Sequence, residues 1–168
     1  MRLPPYEIFP CLGDEKILLR QVEFSELNEL IEISFYDQIQ AKTLQEAEEM
    51  QVKINKDYFN GNAIQWGIVD KLTNKIVGTF GYHGGLDKGE GELGAVLLPQ
   101  YQGKGYMAAA LKLAIDFGIN QIGLHRILAL TTKQNERAIK LLTRLHFVKV
   151  AELEGGELEY ELSKNKSF

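Results

Sequence analysis

Residues 97–107 read LLPQYQGKGYM, in which two glycines one residue apart follow an apolar run and precede a helical pattern. Gly103 and Gly105 allow positive φ and a close approach of the backbone to an anion. Consecutive N–H groups at the start of a helix point toward such an anion, and the helix dipole favours negative charge there. The segment therefore predicts a phosphate-bearing ligand between a strand and a helix.

Taken alone, these glycines suit an ordinary loop with positive φ equally well, so the neighbouring sequence matters. A dinucleotide-binding fingerprint lies near the first strand of a parallel sheet, whereas antiparallel strands are expected before residue 97. A Walker-type loop requires a lysine and a hydroxyl residue after its last glycine, but Gly105 is followed by Tyr106 and Met107. Both nucleotide-binding alternatives are disfavoured.

Length and composition predict one domain, residues 1–168, with its own hydrophobic core. Cys11 is the only cysteine, and the three histidines lack metal-ligand spacing, so neither a disulfide nor a metal is expected. The net charge of −4 provides no basic field for nucleic acid. Residues 1–13 lack the pattern of a signal peptide, and no apolar run reaches membrane-spanning length. We expect a cytoplasmic protein without membrane association.

The first half of the chain predicts a strand, two helices and three antiparallel strands. Ser25 is placed as the N-cap of a helix with an apolar stripe from Leu27 to Phe35, and Thr43 with Glu46 as the capping box of the next, which ends at Asn60-Gly61. A polar turn at 72–75 suits a hairpin. The strands are expected at Ile17–Val22, Ile64–Asp70, Ile76–His83 and Glu92–Leu98.

The second half predicts one parallel crossover followed by an antiparallel hairpin. Helical periodicity runs from Met107 to Gly118, and Asn135 caps a further helix. The closing strands turn at Gly155-Gly156. The corresponding strands are His125–Thr132, Val148–Leu153 and Leu158–Ser163. The chain should thus form an α/β (α+β) domain with a mixed sheet of about seven strands, about four helices, an antiparallel first half and one βαβ crossover.

Four segments in this order resemble the GCN5-related N-acetyltransferase (GNAT) superfamily, most closely the branch that acetylates ribosomal-protein N-termini. They are residues 92–99 (ELGAVLLP), residues 100–107 (QYQGKGYM), residues 124–127 (LHRI) and residues 135–142 (NERAIKLL). The resemblance covers nearly the whole chain. It implies an acetyl-CoA-dependent transferase acting on a primary amine, namely a protein N-terminus, a polyamine, an aminoglycoside or another small amine.

The resemblance also implies where acetyl-CoA binds. Backbone N–H groups of the glycine turn would hold the pyrophosphate, and the strand around Leu97 would offer main-chain groups to the pantetheine arm, from Val96 and Leu98. Asn135 matches a family asparagine that contacts the same region. The turn residues carried over are Gln102, Gly103, Lys104, Gly105, Tyr106 and Met107.

Catalysis requires a neutral amine, because a lysine-like amine with a pKa of about 10.4 is protonated at neutral pH. Glu92, at the start of the cofactor-binding strand, is the leading candidate for a general base, and His83 and Tyr82 on the neighbouring strand are alternatives. The family usually protonates the departing thiolate with a tyrosine or serine, but this chain has Leu142 and Ala138 at those positions. The general acid is therefore unassigned, and a non-catalytic acyl-CoA-binding or sensing domain stays open as an alternative function.

An acidic strand near the C-terminus suggests how an amine is attracted. Residues 157–162 alternate glutamates with Leu158, Tyr160 and Leu162, which predicts one apolar and one acidic face. The acidic face is either simply solvated or attracts a cationic acceptor. Tyr36, Tyr58 and Trp66 are candidates for the wall of an acceptor channel, and the resemblance makes a homodimer possible.

Overall fold

A computed structural model describes residues 1–163; the last five residues of the expected domain lie outside the described residues. Its strands include a short first hairpin and a two-residue pair that sequence patterning did not reveal. The strands are β1 (Leu12–Gly13), β2 (Ile17–Arg20), β3 (Phe35–Tyr36), β4 (Ile39–Gln40), β5 (Ile64–Asp70), β6 (Lys75–Tyr82), β7 (Glu90–Leu97), β8 (Arg126–Thr132), β9 (Phe147–Glu152) and β10 (Glu157–Leu162).

Four α-helices accompany the strands. The first is a single turn, and the others span between nine and sixteen residues. Among residues 1–163, no helix combines the length and apolarity needed to cross a membrane. The helices are α1 (Leu27–Leu30), α2 (Leu44–Phe59), α3 (Tyr106–Phe117) and α4 (Glu136–Arg144).

Eight strands form one mixed sheet in the order β1-β2-β5-β6-β7-β8-β10-β9. Every pairing in it is antiparallel except β7 with β8, which α3 connects as the single βαβ crossover. The expected fold class, the antiparallel first half and the crossover are confirmed. The strand count is eight rather than about seven, because residues 12–13 pair with β2.

The first predicted helix is wrong in its start and its length. Ser25 lies inside a 3₁₀ turn that begins after Glu23, and the α-helical part ends after one turn. The Ser34 hydroxyl donates to Leu30 O at 2.8 Å, and the chain leaves the helix there as β3 begins. Competition of a serine side chain for backbone groups is a known way to end a helix. Phe35, the last residue of the expected helical stripe, therefore lies in β3.

The N-cap of α2 is the predicted Thr43, and α4 is followed by a residue in the left-handed region. Thr43 accepts the Glu46 N–H at 3.2 Å, although the Glu46 carboxylate accepts from Lys42 rather than closing the box on Thr43. His146, which follows the end of α4, has φ of 67° and so lies in the left-handed region where helices commonly end.

The two faces of the sheet bury different cores. The face that carries Tyr82 and Leu93 packs against α3, and the Tyr82 hydroxyl donates to Ala114 O of that helix at 2.8 Å. A smaller core around α1 covers Val69 and Leu98. This arrangement fixes which residues of β7 face the α3 side and which face the opposite side.

β7 and β8 separate part of the way along the sheet. Their parallel register runs only from Glu90↔Arg126 to Leu93↔Ala129. β7 then continues paired to β6 alone, while β8 continues paired to β10. The strands therefore enclose a V-shaped opening, here called the splay, between residues 94–97 and residues 130–132.

Candidate functional site

The glycine turn stands at the wide end of the splay. Gly103 and Gly105 have φ of 74° and 85°, and Gly105 is the N-cap of α3. The first hydrogen bond into the helix is from Ala109 N to Gly105 O, so the N–H groups of Tyr106, Met107 and Ala108 are not used by the helix itself. Several amides and a helix dipole are thus directed at one point, an arrangement that can bind an anion.

A cavity of about 940 Å³ runs from this turn into the splay. It is lined by β7, β8, α3 and α4, and it reaches both faces of the sheet. Ala95 and Thr131 belong to the face that packs on α3, whereas Val96 and Leu130 belong to the opposite face, and all four line the cavity. An extended ligand that lies between α3 and α4 can therefore present its end to the other face through the splay.

The hydrogen-bond register of β7 shows which main-chain groups this ligand meets. Glu92 O accepts the His83 N–H at 2.9 Å, and the Leu98 N–H donates to Val77 O at 2.9 Å. Since antiparallel strands bond through alternate residues, Val96 is directed toward β6 as well. This register corrects the expectation that Val96 and Leu98 offer their main chain to the ligand.

The main chain of Ala95 and Leu97 faces the opening instead. These residues are the non-bonded partners of Phe80 and Gly78 in the β6-β7 ladder, so their N–H and C=O groups are directed away from β6. β8 has already diverged at this level. The free edge for an added strand-like ligand is therefore provided by Ala95 and Leu97.

Three basic side chains of α4 line the cavity: Arg137, Lys140 and Arg144. They recur at helical spacing and so share one face of the helix. Arg137 Nη1 donates to Gln102 Oε1 at 3.3 Å, which joins α4 to the glycine turn. The sequence analysis missed this stripe because the net charge of the chain conceals it, although its spacing could have revealed it.

The capping role predicted for Asn135 is confirmed, and its position suits ligand contact. Its Oδ1 accepts the Ala138 N–H at 3.1 Å, and the residue lines the cavity. Its side-chain NH₂ group is not needed for this cap. Ala138 and Leu142 also line the cavity, where they present methyl groups in place of a hydroxyl.

Glu92 and His83 form a cross-strand pair on the face opposite α3. Both side chains are exposed, and the His83 ring lies against Gly94; the surface around them is here called the Glu92 recess. Burial raises the pKa of Glu92, and the charges of Glu157 and Glu159 raise it further. Burial lowers the pKa of His83, so its imidazole is neutral at neutral pH. A neutral His83 imidazole and an ionised Glu92 carboxylate are the forms that can accept a proton.

Tyr82, the third candidate base, is excluded by its position. The side chain is fully buried on the α3 face, its hydroxyl is bonded to Ala114 O, and burial raises the pKa of the phenol. Tyr58 and Trp66 are also core residues rather than channel walls. Tyr36 is half-buried, and its hydroxyl donates to Asp57 Oδ2 at 2.9 Å.

Glutamates surround the Glu92 recess on the neighbouring strands. Glu92 and Glu161 flank Leu128 in one cross-strand row, and Glu159 stands beside Leu130. Among residues 1–163, the cation that pairs with the glutamates of these rows is Arg126, which contacts Glu161 at 2.9 Å, Glu90 at 3.3 Å and Glu159 at 3.5 Å. Negative charge is therefore in excess where the splay opens onto this face, which favours a cationic acceptor.

An extended, phosphorylated ligand whose reactive end reaches a proton acceptor is what a coenzyme A-dependent transferase must hold. A family model of the acetyltransferase (GNAT) domain matches residues 16–148. The chain belongs to the GNAT family of acetyl-CoA-dependent N-acetyltransferases.

Individual relatives agree with this assignment. The chain is 31% identical over 163 residues to the uncharacterized N-acetyltransferase p20 of Bacillus licheniformis, covering 92% of this chain and 89% of that protein. Among solved structures, the ribosomal L7/L12 α-N-protein acetyltransferase RimL aligns with a TM-score of 0.79 at 13% identity, covering 95% and 98% of the two chains. A dodecameric spermidine N-acetyltransferase from Vibrio cholerae aligns with a TM-score of 0.70 at 18% identity, covering 88% and 92%. At these identities the structural matches support the fold alone.

Proposed function

We propose that this protein transfers the acetyl group of acetyl-CoA directly to a primary amine that arrives as a cation, within a ternary complex. The observation that carries the proposal is the cavity that runs from the glycine turn into the splay, where its lining on β7 reaches Leu93, the residue next to Glu92. A ligand anchored at the turn then meets an amine held among carboxylates. Cys11 lies on the N-terminal segment, outside the strands and helices that form the cleft, so a covalent acetyl-enzyme has no support.

Different residues bind the two parts of acetyl-CoA, its pyrophosphate and its pantetheine arm. Amides of Gly103, Lys104, Gly105, Tyr106 and Met107 bind the pyrophosphate, and the basic stripe of α4 adds charge beside it. The Ala95 and Leu97 main chain pairs with the amides of the pantetheine arm. Leu97 is retained from the predicted set, and the main-chain role of Val96 and Leu98 passes to Ala95 and Leu97.

In the transfer step, Glu92 accepts a proton from the ammonium group, and the neutral nitrogen attacks the thioester carbonyl carbon. A C–N bond forms, the C–S bond breaks, and the thiolate leaves; the nitrogen gives its second proton to water, which passes a proton to the thiolate, so the products are a neutral amide and a thiol. The thiol has a pKa near ~8.5, so water can protonate the departing thiolate without the hydroxyl group that Ala138 and Leu142 lack. His83 beside Glu92 is the alternative proton acceptor.

A thiol-release assay with a panel of amines tests the proposal. The panel contains spermidine, an aminoglycoside, and peptides with free alanine or serine N-termini. Amine-dependent release of thiol, with an acetylated product of the same amine, is the expected result. The acceptor that gives the fastest thiol release shows whether the substrate is a protein N-terminus or a polyamine. The excess of glutamates favours the acceptor with more positive charge.

The second candidate function is a non-catalytic acyl-CoA sensor, favoured by the apolar Ala138 and Leu142 in the cleft. A sensor binds acetyl-CoA in calorimetry but releases no thiol with any amine of the panel. Absence of acetyl-CoA binding at millimolar concentration would contradict both functions.

Glu157 and Glu159 should act on the acceptor and on the acidity of Glu92 together. Since two partly exposed charges contribute about 0.3–1 kcal/mol each, the E157Q/E159Q double variant should raise KM for a cationic amine about 3- to 30-fold. Removing their charges also lowers the pKa of Glu92, so activity, which needs the deprotonated base, should persist to lower pH. Initial rates across pH and ionic strength measure both effects. E154Q, in the exposed turn of the closing hairpin, is the matched control, and a salt-independent KM would contradict the attraction.

Asn135 should carry two separable roles. The N135A variant loses the cap of α4, which should lower the free energy of unfolding by about 1 kcal/mol. It should also weaken acetyl-CoA binding if the NH₂ group contacts the pantetheine arm. N135S retains a capping oxygen, so its stability should recover in thermal unfolding while its affinity, measured by calorimetry, stays reduced. Full recovery of affinity in N135S would limit Asn135 to capping.

A further inference from the structure

One buried hydroxyl in the cleft has no hydrogen-bond partner within residues 1–163. Thr131 of β8 is 8% exposed, and no described residue provides a hydrogen-bond partner for its Oγ1. The residue also lines the cavity. A buried hydroxyl without a partner costs free energy, so native proteins retain one rarely and usually for a reason.

The position of Thr131 places it along the path of an extended ligand. Ala129, two residues earlier, is the last residue of β8 that pairs with β7. Continuing the parallel register sets Thr131 across the splay from Ala95, whose main chain faces the opening. The alternation of β8 puts its side chain on the α3 face, the same face as Ala129. The Thr131 side chain thus lies on the wall opposite the free edge of β7, with its Oγ1 atom enclosed by protein.

We propose that the Thr131 hydroxyl binds an amide of the pantetheine arm of acyl-CoA from the β8 side. This inference rests on the proposed function, since it requires acyl-CoA in the cleft. A hydroxyl offers one donor and two acceptor sites, and rotation about Cα–Cβ exchanges Oγ1 with the methyl group at the cleft wall. The arm supplies the partner that the protein does not, while Ala95 bonds it from the other strand.

Two variants of Thr131 separate the hydroxyl from its shape. T131V replaces the hydroxyl by a methyl group at nearly constant volume, and T131S keeps the hydroxyl. T132V, on the adjacent exposed position of β8, is the matched control. Calorimetry is performed with acetyl-CoA and with adenosine 3′,5′-bisphosphate, which has no pantetheine arm, and thermal unfolding is measured without ligand.

T131V should bind acetyl-CoA about 5- to 10-fold more weakly than wild type, because one hydrogen bond is lost, and should bind the bisphosphate unchanged. Its ligand-free melting temperature should equal or exceed that of wild type, since an unpartnered hydroxyl has been removed. T131S and T132V should bind acetyl-CoA within about twofold of wild type.

Unchanged acetyl-CoA affinity in T131V would overturn the inference and leave the proposed function intact. Equal losses for both ligands would also overturn it, because the effect would then lie in the shape of the cleft. Wild-type protein that binds the bisphosphate but not acetyl-CoA, or neither ligand, would overturn the proposed function together with this inference.

Discussion

The E92Q variant should lose about 100-fold or more in kcat, the range expected when a general base is removed. Glutamine preserves the shape of the side chain but cannot accept the proton of the ammonium group. The KM for acetyl-CoA should change little, because Glu92 lies across the sheet from the pyrophosphate turn. The acidic limb of the kcat profile, which the raised pKa of Glu92 should place above the ordinary range of a glutamate, should disappear.

Two controls assign this effect to Glu92. E90Q changes a glutamate two residues earlier on the same face, where it pairs with Arg126, and should keep most of the activity. H83N removes the neighbouring imidazole and should cost less than about tenfold. A large loss in H83N with near-normal kcat in E92Q would instead make His83 the base, and retention of activity in both would point to water.

The G103A variant should bind acetyl-CoA about 10- to 100-fold more weakly, the cost of losing one or two hydrogen bonds to a charged group. A Cβ built on Gly103 meets no described protein atom within 4 Å, so the protein itself has room for it. The methyl group would occupy the space in which the pyrophosphate approaches the backbone. Positive φ adds a strain of about 1–2 kcal/mol to the folded state.

G155A separates this strain from the loss of contact. Gly155 also has positive φ, at 94°, and also faces open space, but it lies in the closing hairpin. G155A should therefore show a similar decrease in thermal stability with unchanged acetyl-CoA affinity. If G103A and G155A bind acetyl-CoA equally well, the glycine turn does not hold the pyrophosphate.

The sequence predicted most of the fold because its signals are local. The apolar residues of the strand at 64–70, the cap at Asn135 and the glycine turn each depend on residues within one element. The first helix was misplaced because the serine at position 34 and the β3-β4 pair compete with an apolar stripe that looks helical. Intrinsic preference there is overridden by tertiary contacts.

The site was predictable in its location but not in its detail. Glu92 and the glycine turn could be named from motifs, whereas the main-chain groups that face the opening depend on strand register. The bonds from Leu98 N–H to Val77 O and from His83 N–H to Glu92 O show that the main chain of Ala95 and Leu97, rather than of Val96 and Leu98, faces away from β6. Similarly, the raised pKa of Glu92 depends on Glu157 and Glu159, which are over sixty residues away in sequence.

The splay divides the sheet into two blades, joined along only the four pairs from Glu90↔Arg126 to Leu93↔Ala129. Glu92 belongs to one blade, whereas Glu157 and Glu159 belong to the other, beside the part of β8 that has separated. Their repulsion declines with distance, so the angle between the blades adjusts the basicity of Glu92. A ligand that spans the opening and fixes this angle would therefore tune the proton acceptor on the far side of the sheet.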